Sequence, residues 1–258
     1  MYAATYFRPV RPMSILAHIG RYFILLKETF SRPERASVYW RRTVEEMDLL
    51  GLKSLGIVAL LSFFMGAVIT IQTKTNIDSP LIQGWVVGFA TRQSTILEFS
   101  PTIIALILAG KVGSNIAAEI GSMRVKEQID ALDIMGVNSA GYLILPKILA
   151  SMFINPFLVM VSMFLSIFGG YVAGTGTGII SATDYLQGIQ TGFIPYHVTY
   201  ALIKTVVFAF IIATVSAYQG YYTRGGTREV GISSTQAVVY SNVVILIVNY
   251  ALTQLLLI

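Results

Sequence analysis

Five apolar runs, each long enough to cross a bilayer, constrain this chain more than any other feature. They cover residues 54–73, 96–118, 148–173, 200–218 and 237–257, and a spanning helix needs about 20 predominantly apolar residues. Hydrocarbon offers no partners to backbone amides, so such runs must be helical. The expected fold class is an all-α integral membrane protein. Composition agrees: 55% of the residues are hydrophobic and 12% charged, with a mean hydropathy of +0.69, where a soluble domain carries about 25% charged residues. The net charge of +5 follows membrane topology instead of forming one stripe, which argues against a nucleic-acid partner. The chain has no cysteine, so disulfides and thiolate metal sites are excluded. Arg8 and Arg11 are not followed by the short apolar core and small-residue site of a cleavable signal peptide, and none is expected.

The basic residues set the direction of the walk. Arg8, Arg11, Arg21, Lys27, Arg32, Arg35, Arg41, Arg42 and Lys53 come before or at the first run. Lys111, Arg124, Lys126 and Lys147 flank the second-to-third connection, and Arg224 and Arg228 lie between the fourth and fifth runs. The other side receives Lys74, Arg92 and Lys204, and the loop 175–199 has no basic residue. The positive-inside rule then puts the N-terminus in the cytoplasm and the C-terminus outside. Residues 1–50 form an N-terminal helical region and 51–258 the five-span domain. Within the first region, residues 13–30 place Ile15, Leu16, Ile19, Phe23, Leu26 and Phe30 on one face. With His18, Arg21 and Glu28 elsewhere, this predicts a helix lying in the membrane interface, broken by Ser31-Arg32-Pro33-Glu34.

The segment 117–135 is charge-rich although it lies between two apolar runs. Val125, Ile129, Leu132 and Met135 recur at roughly helical spacing, with Glu127, Asp130 and Asp133 on another side. A merely solvated loop does not require an apolar face. A short amphipathic helix at the cytoplasmic surface, docking into a groove on a soluble protein, does. Inside the runs, Glu98 and Lys204 are expensive, about 2.5–3.5 kcal/mol for a charge at the bilayer centre and less near the interface. They either line a pathway and meet a polar head group, or snorkel or form a structural pair. Pro156 is expected to interrupt the third run. The glycines at 169, 170, 174, 176 and 178 permit close packing or a bend, and Gly225, Gly226 and Gly231 read as turn residues.

Enzyme signatures are missing. There is no H-E-x-x-H, and His18 and His197 fall on opposite predicted sides. Gly110-Lys111-Val112-Gly113 resembles part of a phosphate-binding loop, but position 105 is alanine and position 112 is not Ser or Thr. The chain is therefore expected to carry no ATPase of its own. An odd number of spans does not divide into two equal halves, so a pathway is expected to form by pairing with a second copy about a two-fold axis. Two other readings stay open at this stage: an ion-coupled secondary transporter with Glu98 as its proton site, and a non-transporting membrane scaffold.

Glu98-Phe99-Ser100-Pro101, Leu108-Ala109-Gly110-Lys111-Val112-Gly113-Ser114, Ala118-Glu119-Ile120-Gly121-Ser122-Met123, Glu127-Gln128-Ile129-Asp130-Ala131-Leu132 and Met135-Gly136-Val137 together closely resemble the MlaE (YrbE) permease family. Pro146-Lys147, Lys204-Thr205-Val206-Val207-Phe208 and the Gly225-Gly226, Gly231 and Thr235-Gln236-Ala237-Val238-Val239 stretches follow the same pattern, from about residue 50 onward. The resemblance implies the permease subunit of an ABC-type system that moves phospholipids between inner and outer membranes and maintains outer-membrane lipid asymmetry. It implies a homodimer in the inner membrane, with cytoplasmic ATPases that hold ATP and magnesium, so no cofactor in this chain. Periplasmic MCE-domain proteins, and in some systems a STAS-domain protein, are further implied partners. The family's coupling helix maps onto 119–135, with Glu127, Gln128, Asp130 and Leu132 at its motif and Glu119, Arg124 and Met135 completing the candidate set. Its charged position before the second run's proline maps onto Glu98, a lipid-pathway candidate together with Lys204. The neighbouring position, often arginine in the family, is Leu97 here, so that charge pair is absent. Lys111 stands where arginine is usual, which keeps the charge and loses the bidentate fork.

Overall fold

The computed structural model describes residues 15–31, 36–77 and 82–257, and among them every regular element is a helix. Five are long and apolar enough to cross a membrane: Tyr39–Asn76, Trp85–Val125, Ser139–Gly176, Tyr196–Tyr221 and Thr227–Leu257, the first to fifth spans. Each contains one of the expected runs and extends past it. An N-terminal helix, Ile15–Phe30, precedes them. Short helices Gln128–Ile134 and Ala182–Gln190 sit in the second-to-third and third-to-fourth connections. The second of these has no counterpart in the sequence reading. Met13, Ser14 and the break at residues 32–34 lie outside the described residues.

Ties between side chains sort the connections into two ends. At the basic end, His18 Nδ1 meets the Tyr218 hydroxyl at 2.8 Å, Asn138 Nδ2 donates to Glu28 O at 2.8 Å, and Ser139 Oγ meets Tyr221 OH at 2.9 Å. At the opposite end, Gln93 Nε2 is 3.2 Å from His197 Nδ1 and Tyr196 OH donates to Leu256 O at 3.0 Å. The fourth span runs through the middle, with Phe208, Ala209, Ile212, Ala213 and Ala217 fully buried.

Lipid tails are as apolar as leucine, so close backbone approach and small polar contacts hold spans together. The first and third spans show both. A Cβ on Gly66 would lie 1.7 Å from Ser166 O, and one on Gly169 would lie 2.1 Å from Phe63 O. Beside them Ser62 Oγ donates to Ser162 Oγ at 2.8 Å, and Ser162 Oγ to Ser100 Oγ at 3.1 Å. Gly169 and Gly170 thus serve packing, while Gly178, at φ +70°, makes a turn.

Two local expectations change. The third span runs unbroken through Pro146 and Pro156, since a proline in a packed span forfeits one hydrogen bond without having to end the helix. Gly231 lies inside the fifth span, whose helix has already begun at Thr227, whereas Gly225, at φ +118°, does form the turn.

The N-terminal helix packs Leu25 and Thr29 against the bundle, and Tyr22 donates to Thr214 at 2.8 Å. Burial pushes the Tyr22 phenol above its ordinary value, so it stays a neutral donor. Leu16, Ile19, Phe23 and Phe30 point outward and are exposed; Leu26 is half-buried instead.

Candidate functional site

The second span changes register where it carries Glu98. Residues Thr95–Ile103 form a π-helical stretch containing Pro101. Proline has no N–H, so in α register it would leave the Leu97 carbonyl without a donor. The Lys204 ammonium of the fourth span lies 3.4 Å from that carbonyl and 2.9 Å from Glu98 Oε1. It also reaches Tyr200 OH at 3.0 Å and Thr253 Oγ1 at 3.3 Å. Glu98 Oε2 accepts from Thr102 Oγ1 at 3.2 Å and Asn249 Nδ2 at 3.3 Å. Three spans therefore close around one ion pair. The Lys204 side chain has no exposed surface, while that of Glu98 is 42% exposed.

The structure gives the two pathway candidates different surroundings. Lys204 is fully buried among its partners. Glu98 keeps an open side, with the amide of Asn249 and the hydroxyl of Thr253 beside it. Glu98 finds its basic partner in Lys204, 106 residues away in the chain. Nearby, an apolar cleft of about 240 Å³ opens between the first, second and third spans, lined by Leu61, Phe64, Met65, Phe99, Ile103 and Ile107 among others.

At the basic end the 119–135 segment is not one helix. The second span ends at Val125, Glu127 takes a left-handed backbone at φ +58°, and the short helix begins at Gln128. The expected common face is split as a result. Ile129 is fully buried and Leu132 packs on the core, but Met135 is 68% exposed and Ile134 87%. Glu127 and Gln128 are exposed. Arg124 Nη1 pairs with Asp130 Oδ1 at 2.7 Å across the break, and the Arg124 Cζ lies 5.7 Å from the Tyr221 ring centre. Glu119 belongs to the second span and pairs with Lys147 Nζ at 2.8 Å.

Sequence reasoning missed two features. Lys147, only 2% exposed, also holds Glu46 at 2.5 Å, so one ammonium joins the first, second and third spans. Lys147 and Glu46 lie 101 residues apart, and no local pattern links them. At the opposite end Arg92 is buried and donates to the carbonyls of Ile189 at 2.6 Å, Thr191 at 3.0 Å and Gly192 at 3.2 Å. It caps the C-terminus of the Ala182–Gln190 helix. Among the described residues no group of three or more His, Asp or Glu could hold a metal ion.

Comparison with known proteins places these features in context. The profile of the permease MlaE family matches residues 43–255. A probable ABC transporter permease protein of Rickettsia bellii is 34% identical over 245 residues, covering 95% of this chain and 94% of its own length. A probable ABC transporter permease protein of Synechocystis is 34% identical over 236 residues, covering 91% and 89%. The chloroplast protein trigalactosyldiacylglycerol 1 of Arabidopsis thaliana is 32% identical over 236 residues, covering 90% of this chain and 66% of its own.

Proposed function

The chain belongs to the MlaE permease family and is a multi-pass membrane permease, and from that premise we propose that it moves phospholipid as the membrane subunit of an ATP-driven transporter. In this reading it sits in the inner membrane as a homodimer, N-terminus cytoplasmic and C-terminus periplasmic. One observation carries it: Glu98 is 42% exposed on the flank of a spanning bundle. A carboxylate does not face acyl chains without a large cost, so this flank faces a polar-lined cavity that a second copy closes. The fixed polar group suits a head group, and the apolar cleft between the first, second and third spans suits acyl chains. The name of the chloroplast relative contains a diacylglycerol lipid, in keeping with a two-chain cargo. The ion-coupled reading is disfavoured, because Glu98 is committed to an ion pair with the fully buried Lys204.

The energy source enters at the basic end. The short helix offers Ile134 and Met135 to a partner and anchors itself by Ile129 and Leu132. A cytoplasmic ATPase pressing on it would move the second and third spans, which Glu119 and Lys147 tie together. MCE-domain proteins would meet the opposite end, and a STAS-domain protein would act through the ATPase.

The test is reconstitution in nanodiscs with the cognate ATPase, comparing wild type with Ile134→Asp/Met135→Asp. Both positions are exposed, so the variant is expected to fold. The wild type should stimulate ATP hydrolysis and carry phospholipid; the variant should keep bound phospholipid and lose the stimulation. Transport by the isolated chain on an ion gradient, or unchanged coupling in the variant, overturns the reading.

A further inference from the structure

A second cavity, of about 520 Å³, opens at the basic end where two π-helical turns face each other. One is Asp48–Leu52 of the first span and the other Ala109–Gly113 of the second. Lys53 and Lys111 line it, with Ser54, Ser114, Asn115 and Ser234 among the other lining residues. No acidic side chain is among them, and Asp48 lies in the adjoining turn outside the lining. Lys53 and Lys111 both line this one space, and neither makes an ion pair among the described residues. The Lys111 ammonium donates to the Lys53 carbonyl, which fixes it at the cavity wall with further N–H groups to give. Two ammonium groups sharing one recess repel each other, and a multivalent oxyanion between them removes that repulsion while accepting their hydrogen bonds.

We propose that this cavity binds a phosphate-bearing anion, with Lys53 and Lys111 as its charged contacts and the Asn115 amide as a neutral donor. The ion pair of Glu98 and Lys204 lies in a separate cluster of residues, so this is a second site and not part of the proposed lipid pathway. The anion is either the phosphate of an anionic lipid in the adjoining leaflet or a soluble phosphate. Both offer the same oxygens, and lysine, as a compact point charge with rotatable donors, suits either.

The experiment measures anion retention by the full chain in nanodiscs of phosphatidylcholine containing phosphatidylglycerol as a minor component, using native mass spectrometry. Wild type is compared with Lys53→Gln/Lys111→Gln, with Asn115→Asp, and with Lys74→Gln as a control lysine from the opposite end. Asn115→Asp adds a carboxylate to the recess at an exposed position, which keeps the test alive where the double variant fails to fold. Removing both lysines should lower retained phosphatidylglycerol by about tenfold or more, Asn115→Asp should lower it in the same direction, and Lys74→Gln should leave it unchanged. Inorganic phosphate titrated into phosphatidylcholine-only nanodiscs distinguishes the sources: saturable binding lost in the same variants, without phosphatidylglycerol retention, assigns the site to a soluble phosphate. Equal retention of both probes in wild type and variants overturns the proposal. The readout is independent of transport, so it stands or falls separately from the proposed function.

Discussion

Without the Glu98 carboxylate, the Lys204 ammonium would be left with no exposed surface and only neutral oxygens around it. Removing Lys204 instead leaves a carboxylate that water can still reach. The two deletions should therefore differ, although they break the same 2.9 Å contact. Glu98→Leu is expected to cost about 3 kcal/mol, the low end for breaking a buried pair. Lys204→Leu should cost nearer 1 kcal/mol, since solvent screens what remains, and the double replacement should recover most of the loss. Thermal unfolding of the purified chain in detergent reads the order; a Lys204→Leu variant less stable than Glu98→Leu would refute it. The same logic applies at Lys147, which serves two carboxylates. Lys147→Met should be strongly destabilising, by about 3 kcal/mol, because Glu46, with a side chain only 15% exposed, loses its partner. Glu119→Gln should be mild, because Glu119 is 43% exposed and Lys147 keeps Glu46. A double-mutant cycle on the unfolding midpoints checks both.

Helix identity and helix contact are different kinds of information, and the elements of this chain show where they part. The five spans were legible because each is a long apolar run, and hydropathy reports transfer into lipid directly. The 119–135 segment was legible as a surface element but not in its shape. Its side-chain spacing suits one helix, yet the backbone turns left-handed at Glu127, a conformation more often taken by glycine. Glu98 and Lys204 each stood out as costly charges, but their pairing depends on how the second and fourth spans pack, which hydropathy does not carry. Glu127→Gly should relieve backbone strain of about 1–2 kcal/mol, partly offset by the greater freedom of unfolded glycine, and so be neutral or stabilising by up to about 1 kcal/mol. Glu127→Val, β-branched at the same φ, should be destabilising. Comparing unfolding temperatures of the two variants checks the strain. At the first–third span contact the outcome reverses: Gly66→Ala puts a carbon 1.7 Å from the Ser166 carbonyl, the two backbones must separate, and a clear drop in unfolding temperature is expected.

At the scale of the whole molecule, the outward surfaces of the third and fifth spans differ in chemistry. The third span exposes Phe153, Phe157, Met160, Phe164 and Phe168, an apolar row that acyl chains solvate well. The fifth span exposes Gln236, Tyr240, Val243, Ile247, Tyr250 and Gln254, recurring at alternating intervals of four and three residues. That spacing is the seam along which two helices pack side by side, and its glutamines are costly in lipid but tolerable against another helix. The Glu98 carboxylate opens beside the same span, through its contacts with Asn249 and Thr253. The proposed two-fold partner is therefore expected on the fifth-span side. Because the chain has no cysteine, a single introduced thiol reports on one surface alone. Val243→Cys should give a disulfide-linked dimer on mild oxidation in native membranes, and Phe164→Cys, 70% exposed in the other row, should remain monomeric on a denaturing gel. Cross-linking at Phe164 and not at Val243 would move the partner to the third-span face and leave Glu98 turned toward lipid, which its charge does not permit.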